Sequence, residues 1–369
     1  MAKPAFTIGV EEEYQIVDAK TRSLTGRSKS LIRSNEKRDT DQEIVHELFS
    51  CEVEIATAVC ETLDDVRQAL TKARRAVIEA ARKTKSEIAA AGTHPFSKWE
   101  EQKITPKKRY RTLHADLGQM IRELIILGCH VHVGIDDKEM AVEVMNRARI
   151  WLPTLLALTA NSPFWEGKDT GYDSYRMAMW NRLPTAGPPP FFENYADYQG
   201  FIQQLIDTDI TDDPTKIYWD IRLSERFPTV EFRMSDVCAS IDEAVMLAGL
   251  VRALAHTCYQ DAQTQQPVNP VRDGMMKAAM WQSSRYGLNG KLINFTQMKP
   301  VPAKELIRDF LDYVRPALKN YGDESVVANE VERILIEGNS AQRQRQVHEQ
   351  QGSLQAVVDD IVRRSASHL

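Results

Sequence analysis

The sequence lacks the glycine-rich loops that commonly hold nucleotides, having neither GxxxxGK[ST] nor GxGxxG. Any bound nucleotide must then have its phosphates held another way, such as by cations on a sheet face. A GxSxG elbow and a paired Cys/His motif are also missing, so nothing supports a covalent nucleophile. There is no HExxH and no CxxC, which argues against the common zinc sites. No apolar run approaches the roughly 20 residues needed to span a bilayer, and Met1–Phe6 carries no hydrophobic signal core. An excess of basic charge is absent too. With 47 Lys and Arg against 52 Asp and Glu, the formal net charge is −5, and no global field draws the chain to nucleic acid or an anionic membrane. Five scattered cysteines, an odd number, fit reduced buried thiols in a cytoplasmic protein. With no repeat and no Ser/Gly-rich linker, the 369 residues read as one domain, 1–369.

What is present is a run of three acids in a strand-like setting, Gly9-Val10-Glu11-Glu12-Glu13-Tyr14-Gln15-Ile16-Val17-Asp18. Alternation puts Glu11 and Glu13 on one face and Glu12 on the other, with Val10, Tyr14 and Ile16. Two carboxylates on one face lie about 6.5–7 Å apart along the strand. That separation suits the two ends of a divalent-metal cluster whose ions are roughly 3.5–4 Å apart. It equally suits a solvated edge strand protected from mispairing by its charge.

Residues 6–18 and 46–57 read as strands, joined through a polar connection or flap over 20–43. A helix is expected over 64–91, with Asp64 and Asp65 at its start and Gly92 as its stop. Further helices are expected over 112–127, 138–161 with an interruption at Pro153, and 241–262. Gly128–Ile135 reads as a strand with His130 and His132 on one face, and 217–222 with 229–234 as a strand pair. The Pro- and aromatic-rich segment 162–195 reads as a functional loop, and the C-terminal third as mostly helical. Acids and histidines thus come from strands spread along the chain, which predicts an α+β fold with a largely antiparallel sheet and helices on one side.

Three groups of residues carry potential chemistry. Glu11, Glu13, Glu47, Glu52, Glu54 and Glu231 all lie in expected strands among apolar neighbours. Buried carboxylates are costly alone, and several on one face need cations. Hard Mg2+ prefers such oxygen ligands and shares them with phosphates. His130 and His132 add imidazoles beside the acids. Arg109, Arg176, Arg222 and Arg233 supply cations, and Arg233 shares a face with Glu231 two residues away. A metal-binding acid beside an arginine suits phosphoryl transfer. An in-sheet salt bridge between the same two residues is the plainer alternative.

Several segments, taken in order, resemble the carboxylate–amine ligase family related to type 2 glutamate–cysteine ligase. They are Gly9–Glu13, Val53–Thr57, Gly92–Phe96, His130–Gly134, Ala160–Trp165, Thr170–Arg176, Val230–Arg233 and Gly338–Arg345. The resemblance implies a glutamine-synthetase-like fold, a curved antiparallel funnel flanked by helices around two or three Mg2+ ions, with Mn2+ an alternative. By matching positions it implies Glu11, Glu13, Glu54 and Glu231 as metal ligands, joined by His130 and Glu47. Arg233 would meet the transferred phosphate, with Glu54 a second catalytic candidate. Arg176, Arg109, Arg222 and His132 would contact substrate or ATP. The implied reaction is Mg-ATP phosphorylation of the glutamate γ-carboxylate, followed by attack of the amine of cysteine or another amine. Simple phosphoryl transfer, as in guanidino kinases, and a nucleotide- or metal-binding protein with little turnover are the alternatives. A homodimer is the default assembly. Glu52 stands where the family pattern suggests Gln, and Ser340-Ala341-Gln342 where it suggests Gly-Ala-Asp.

Overall fold

The computed structural model describes residues 5–36, 43–268 and 270–367. Part of the expected connection over 20–43 lies outside them, and the described part contains a helix, Ser28–Glu36. The strands of the main sheet are β1 (Ile8–Asp18), β2 (Ile44–His46), β3 (Glu52–Ala56), β4 (Ser86–Ala89) and β5 (Cys129–Gly134). A small hairpin, β6 (Phe164–Trp165) with β7 (Lys168–Asp169), follows, and then β8 (Ile221–Leu223) and β9 (Thr229–Phe232) complete the main sheet. Its order is β2-β3-β1-β5-β9-β8, with β4 also on β1, and every described pairing is antiparallel. A second hairpin, β10 (Lys291–Asn294) with β11 (Lys299–Pro302), stands apart from this sheet.

β1 is the centre of the sheet because its two faces are chemically distinct. Val10, Glu12, Tyr14 and Ile16 are buried, while Gly9, Glu11 and Glu13 are partly open. The buried face packs on helices Leu63–Lys83 and Ile241–Gln263. The second of these is buried over most of its length, and helices Lys138–Ala148, Ala303–Tyr321 and Glu324–Glu337 pack around it. Glu12 on this face is held by Arg74, which donates from Nε at 2.9 Å and from Nη2, and by the Tyr14 hydroxyl. Helix Leu63–Lys83 starts with a capping box, Thr62 and Asp65 bonding each other's backbone N–H, which fixes where the chain enters it.

Several expected boundaries move. The strand over 46–57 is two strands, parted by a turn in which Phe49 bridges Ile104 and donates its N–H to Glu52. The helix over 64–91 ends at Lys83, and Lys85 turns the chain with φ +57° into β4, which pairs with β1. The alanines of 89–91 suggest helix, and tertiary pairing overrides that propensity. The helix over 112–127 begins at Lys108 and is broken at Gly118, φ +57°, before a short second helix Gln119–Glu123. The segment 162–195 contains the β6–β7 hairpin and a short helix, Tyr175–Trp180, that carries Arg176.

Candidate active site

Register brings the charged residues together. Glu13 faces Glu54 across β1 and β3, and Glu11 faces His130 across β1 and β5. His132 faces Glu231 across β5 and β9, which in turn faces Arg222 on β8. Cross-strand partners share a face, so four adjacent pairings place these residues on one surface. That surface floors a cleft of about 430 Å³. All eleven residues singled out as metal, catalytic or substrate candidates line it: Glu11, Glu13, Glu47, Glu54, His130, His132, Glu231, Arg109, Arg176, Arg222 and Arg233. Glu52 lines it as well.

One end of the cleft is a compact set of acid, imidazole and guanidinium. Glu11 receives His130 Nδ1 at 3.2 Å and faces His132 Nε2 at 3.4 Å. Burial alone would raise the Glu11 carboxyl, but the two imidazoles outweigh it and hold the group well below the usual range. Burial likewise works against ionised Glu231, and Arg233 and Arg222 reverse it. Arg222 Nε donates to Glu231 at 2.7 Å, and Arg233 donates to its other oxygen. Burial, aided by the Arg233 charge, lowers His130 to about 4, so its imidazole is neutral near pH 7. Glu11, His132 and Glu231 each offer one ligand atom, and these atoms lie within 4.8 Å of one another. His132 Nε2 is buried without a hydrogen bond, while Nδ1 contacts Thr229 Oγ1 at 3.0 Å. A free imidazole nitrogen between two ionised carboxylates is a donor set that fits a divalent cation. The expectation had His130 as the ligand and His132 as the substrate contact; the clustered atoms include His132 instead.

The other end gathers carboxylates. Burial raises Glu13 to about 7, with the charge of Glu47 adding to it, although Gly128 N–H donates to it at 2.5 Å. Burial also raises Glu47, Glu52 and Glu54, and the last two sit well above the usual carboxylate range. Glu54 is pushed further by Glu47, Glu11 and Glu13. Acids raised by burial, and some by one another, favour a cation among them. Glu52 is buried with one oxygen unpartnered, and burial, aided by the charge of Glu47, pushes its carboxyl up. Tyr110, absent from the sequence-level candidates, contacts Glu47 at 3.4 Å.

The arginines differ in how freely they present their donors. Arg222 spends Nε on Glu231 and Nη1 on the carbonyls of Ile217 and Thr215, at 2.6 and 3.1 Å. Arg109 is exposed at the rim and donates to Thr215 Oγ1 at 3.3 Å. Arg176 and Arg233 are buried and lie over the Trp180 ring, each 5.8 Å from its centroid. Arg233 Nε and Arg176 Nε have no hydrogen-bond partner. Asp220 and Asp236, both wholly buried near these arginines, were not among the sequence candidates. The only signal for them was an acid beside a strand end, which many surface residues share.

Comparison with known proteins gives one coherent result. The profile of Glutamate-cysteine ligase family 2 (GCS2) matches residues 7–360. A Rhodopirellula baltica protein, provisionally named glutamate–cysteine ligase 2, is 40% identical over 360 residues, covering 96% of each chain. A Mycolicibacterium smegmatis protein, provisionally named glutamate–cysteine ligase 2-3, is 40% identical over 356 residues, covering 96% of this chain and 97% of its own. Among solved structures, Francisella tularensis glutamate–cysteine ligase in complex with AMP superposes with TM-score 0.70 at 14% identity. The match covers all of this chain and 90% of that one. A Pasteurella multocida bifunctional glutathione synthetase gives TM-score 0.66 at 13% identity, over 98% of this chain and 51% of that one. At such identities these two likenesses speak for the fold alone, and the α+β architecture with its antiparallel sheet is the one expected.

Proposed function

The chain belongs to glutamate–cysteine ligase family 2, and from that premise we propose that it joins the γ-carboxylate of glutamate to the amine of cysteine, or of another small amine. Its general activity is that of an ATP-dependent carboxylate–amine ligase of the glutamate–cysteine ligase type. In the proposed reaction a carboxylate oxygen attacks the γ-phosphorus of ATP, giving an acyl phosphate and ADP. The amine nitrogen then attacks the acyl carbon, phosphate leaves, and a proton is lost to give the amide.

The observation that carries this reading is the convergence of Glu11, His132 and Glu231 beside Arg233 on one sheet face. We assign Glu11, His132 and Glu231 to one divalent cation and Glu13, Glu47 and Glu54 to a second, with Mg2+ favoured and Mn2+ an alternative. Such ions neutralise the triphosphate and polarise the acceptor oxygen. The protein's own part is positioning and charge. Arg233, held by Glu231, is aimed at the transferred phosphoryl group. Arg176, at the Glu13 end, is assigned to the carboxylate of the acid substrate. Neutral His130 braces Glu11 without adding charge. Exposed Arg109 stands where an incoming anion first meets the rim. Glu54 is our choice for the group that takes the amine's proton.

We further take residues 1–369 as a single catalytic domain working as a cytoplasmic homodimer. The family match over 7–360 supports the first part, and the five buried free cysteines are consistent with a reducing compartment. Among the described residues, no helix is long and apolar enough to cross a membrane.

The test is ADP release with Mg2+, glutamate and a panel of amines, with the product identified by mass spectrometry. Amine-dependent release and a γ-glutamyl amide are expected. Release that needs no amine would favour phosphoryl transfer, and tight ATP binding without turnover would sink the enzymatic reading.

A further inference from the structure

We propose that Asp236, Asn161 and Gln344 are positioning residues for Arg176, so that helix Ser340–Gln351 belongs to the catalytic apparatus. The inference rests on the ligase reading above, in which Arg176 meets the acid substrate.

Arg176 reaches the cleft along a narrow path. A methyl group at Gly128 would come within 2.9 Å of its guanidinium carbon, so only glycine leaves the side chain room. Its Nη1 and Nη2 donate to the carbonyls of Met234 and Arg233 at 3.4 and 3.3 Å, and Asp236 Oδ1 lies 3.9 Å away. Asp236 does more than balance this charge. Its Oδ2 accepts from Asn161 N–H and from the Ser162 hydroxyl, each at 2.7 Å, and its Oδ1 accepts from the Ser174 hydroxyl at 2.8 Å. Ser162 Oγ in turn accepts the backbone N–H of Arg176 at 3.1 Å, and Ser174 caps the helix that carries it. One carboxylate therefore ties both chain segments that lead to Arg176.

The relay continues to helix Ser340–Gln351. Asn161 Nδ2 donates to the carbonyls of Ala90 and Val237 at 2.9 and 2.8 Å, and its Oδ1 accepts from Gln344 Nε2 at 2.8 Å. The helix bearing Gln344 grips both flanks of the same loop. Ala341 N–H donates to Ala160 O at 3.0 Å, while Asn339 and Arg345 hold Asp173 and the carbonyl of Tyr172. Asp236, Asn161, Ser162, Ser174, Gln344 and Arg176 are all buried. A buried chain of hydrogen bonds restrains geometry, and removing one link disturbs the rest. The motif Gly338–Arg345, more than a hundred residues from every acid of the cleft, thereby acts on an arginine of the cleft.

The experiment is a double-mutant cycle read by kinetics and by hydrogen exchange on the full-length protein. Asp236→Asn preserves shape and most hydrogen bonds but removes the charge facing Arg176, and Gln344→Ala cuts the relay at its far end. Each is expected to raise KM for glutamate about tenfold while kcat and the KM for ATP stay within about twofold. In an Arg176→Met background, each should add less than about a twofold further loss, because it acts through a residue already gone. Full effects in both backgrounds would mark a merely structural role and overturn the proposal. Independently of any substrate, both variants should speed amide exchange over 174–177, where the Arg176 N–H bond to Ser162 lies. Unchanged exchange there would also overturn it. If the wild type releases no ADP with any pair, the ligase reading falls, and exchange alone decides whether the relay restrains Arg176.

Discussion

Glu11→Gln and Glu12→Gln are the same chemical change one residue apart, and the fold predicts opposite outcomes. Glu12 is wholly buried, with Arg74 bound to both oxygens and Tyr14 donating to one. Arg74 also donates to the carbonyls of Cys238 and Ala239, at 2.9 and 3.3 Å. Neutralising Glu12 leaves that guanidinium charge uncompensated among apolar groups, at a cost of about 3–5 kcal/mol. Unfolding entropy of about 2.1 cal/mol/K per residue amounts to about 0.8 kcal/mol/K for a chain this long, so Tm should fall by about 4–6 °C. Glu11 is partly open and faces two imidazoles of the neighbouring strand. Its change should cost less than about 1 kcal/mol and move Tm by about 1 °C. Turnover, however, should fall by at least about a hundredfold, the equivalent of several kcal/mol of lost charge stabilisation. Calorimetry and ADP release measure both variants side by side. Adding Arg74→Met to Glu12→Gln should recover most of the lost stability, since no buried charge then stands alone. An unchanged Tm for Glu12→Gln, or a working Glu11→Gln enzyme, would refute the division of the two faces.

Mg2+ at about a hundred times its Kd should raise Tm by about 3 °C, and His132→Ala should lose most of that gain; a wild-type Tm blind to Mg2+ would count against the ligand assignment. Burial raises Asp220 to about 7 from 3.8, with the Arg176 and Arg233 charges only partly offsetting it. The folded chain therefore holds this proton more tightly than the unfolded one. The associated stability is complete below pH 3.8 and is lost as pH rises through 7. Asp220→Asn should accordingly gain about 4 °C more over wild type at pH 8 than at pH 4.5, and a gain independent of pH would contradict it. Gly128→Ala should cost about 1–3 kcal/mol and lower activity, because its methyl displaces the Arg176 guanidinium; wild-type kinetics in that variant would show that Arg176 has no fixed place.

How much of this was legible depends on the range of the interactions. Period-two alternation in β1 separated Glu12 from Glu11 and Glu13 correctly, because it is a property of neighbouring residues. All eleven candidate residues do line the cleft, since acids repeated in strands with apolar neighbours imply a shared face. Which of His130 and His132 clusters with Glu231 was beyond alternation, as both share a face; it turns on cross-strand register. β4 was hidden because the alanines at 89–91 extend the pattern of the preceding helix, and only its pairing with β1 decides otherwise. Asp236 and Gln344 were hidden because their partners lie far away in sequence.

A signal for the Glu12–Arg74 pair was nevertheless present in the sequence. Within helix Leu63–Lys83 the buried stripe runs Val66, Leu70, Ala73, Arg74 and Val77, so one arginine occupies an apolar position. Within β1 the buried face runs Val10, Glu12, Tyr14 and Ile16, so one glutamate does the same. Either anomaly alone has an ordinary explanation, a stem that snorkels or an edge that is wet. Together they are complementary, because each would be costly to bury without an opposite charge. An acid out of place in a strand and an arginine out of place in the next long helix thus predict each other, and with them the packing of that helix behind the sheet. On the opposite face Arg222 and Arg233 both pair with Glu231, while Glu13, Glu47 and Glu54 are buried together with their carboxyl pKa values raised. That crowding of acids, rather than any single motif, is what separates a site that calls for cations from a pair that closes on itself.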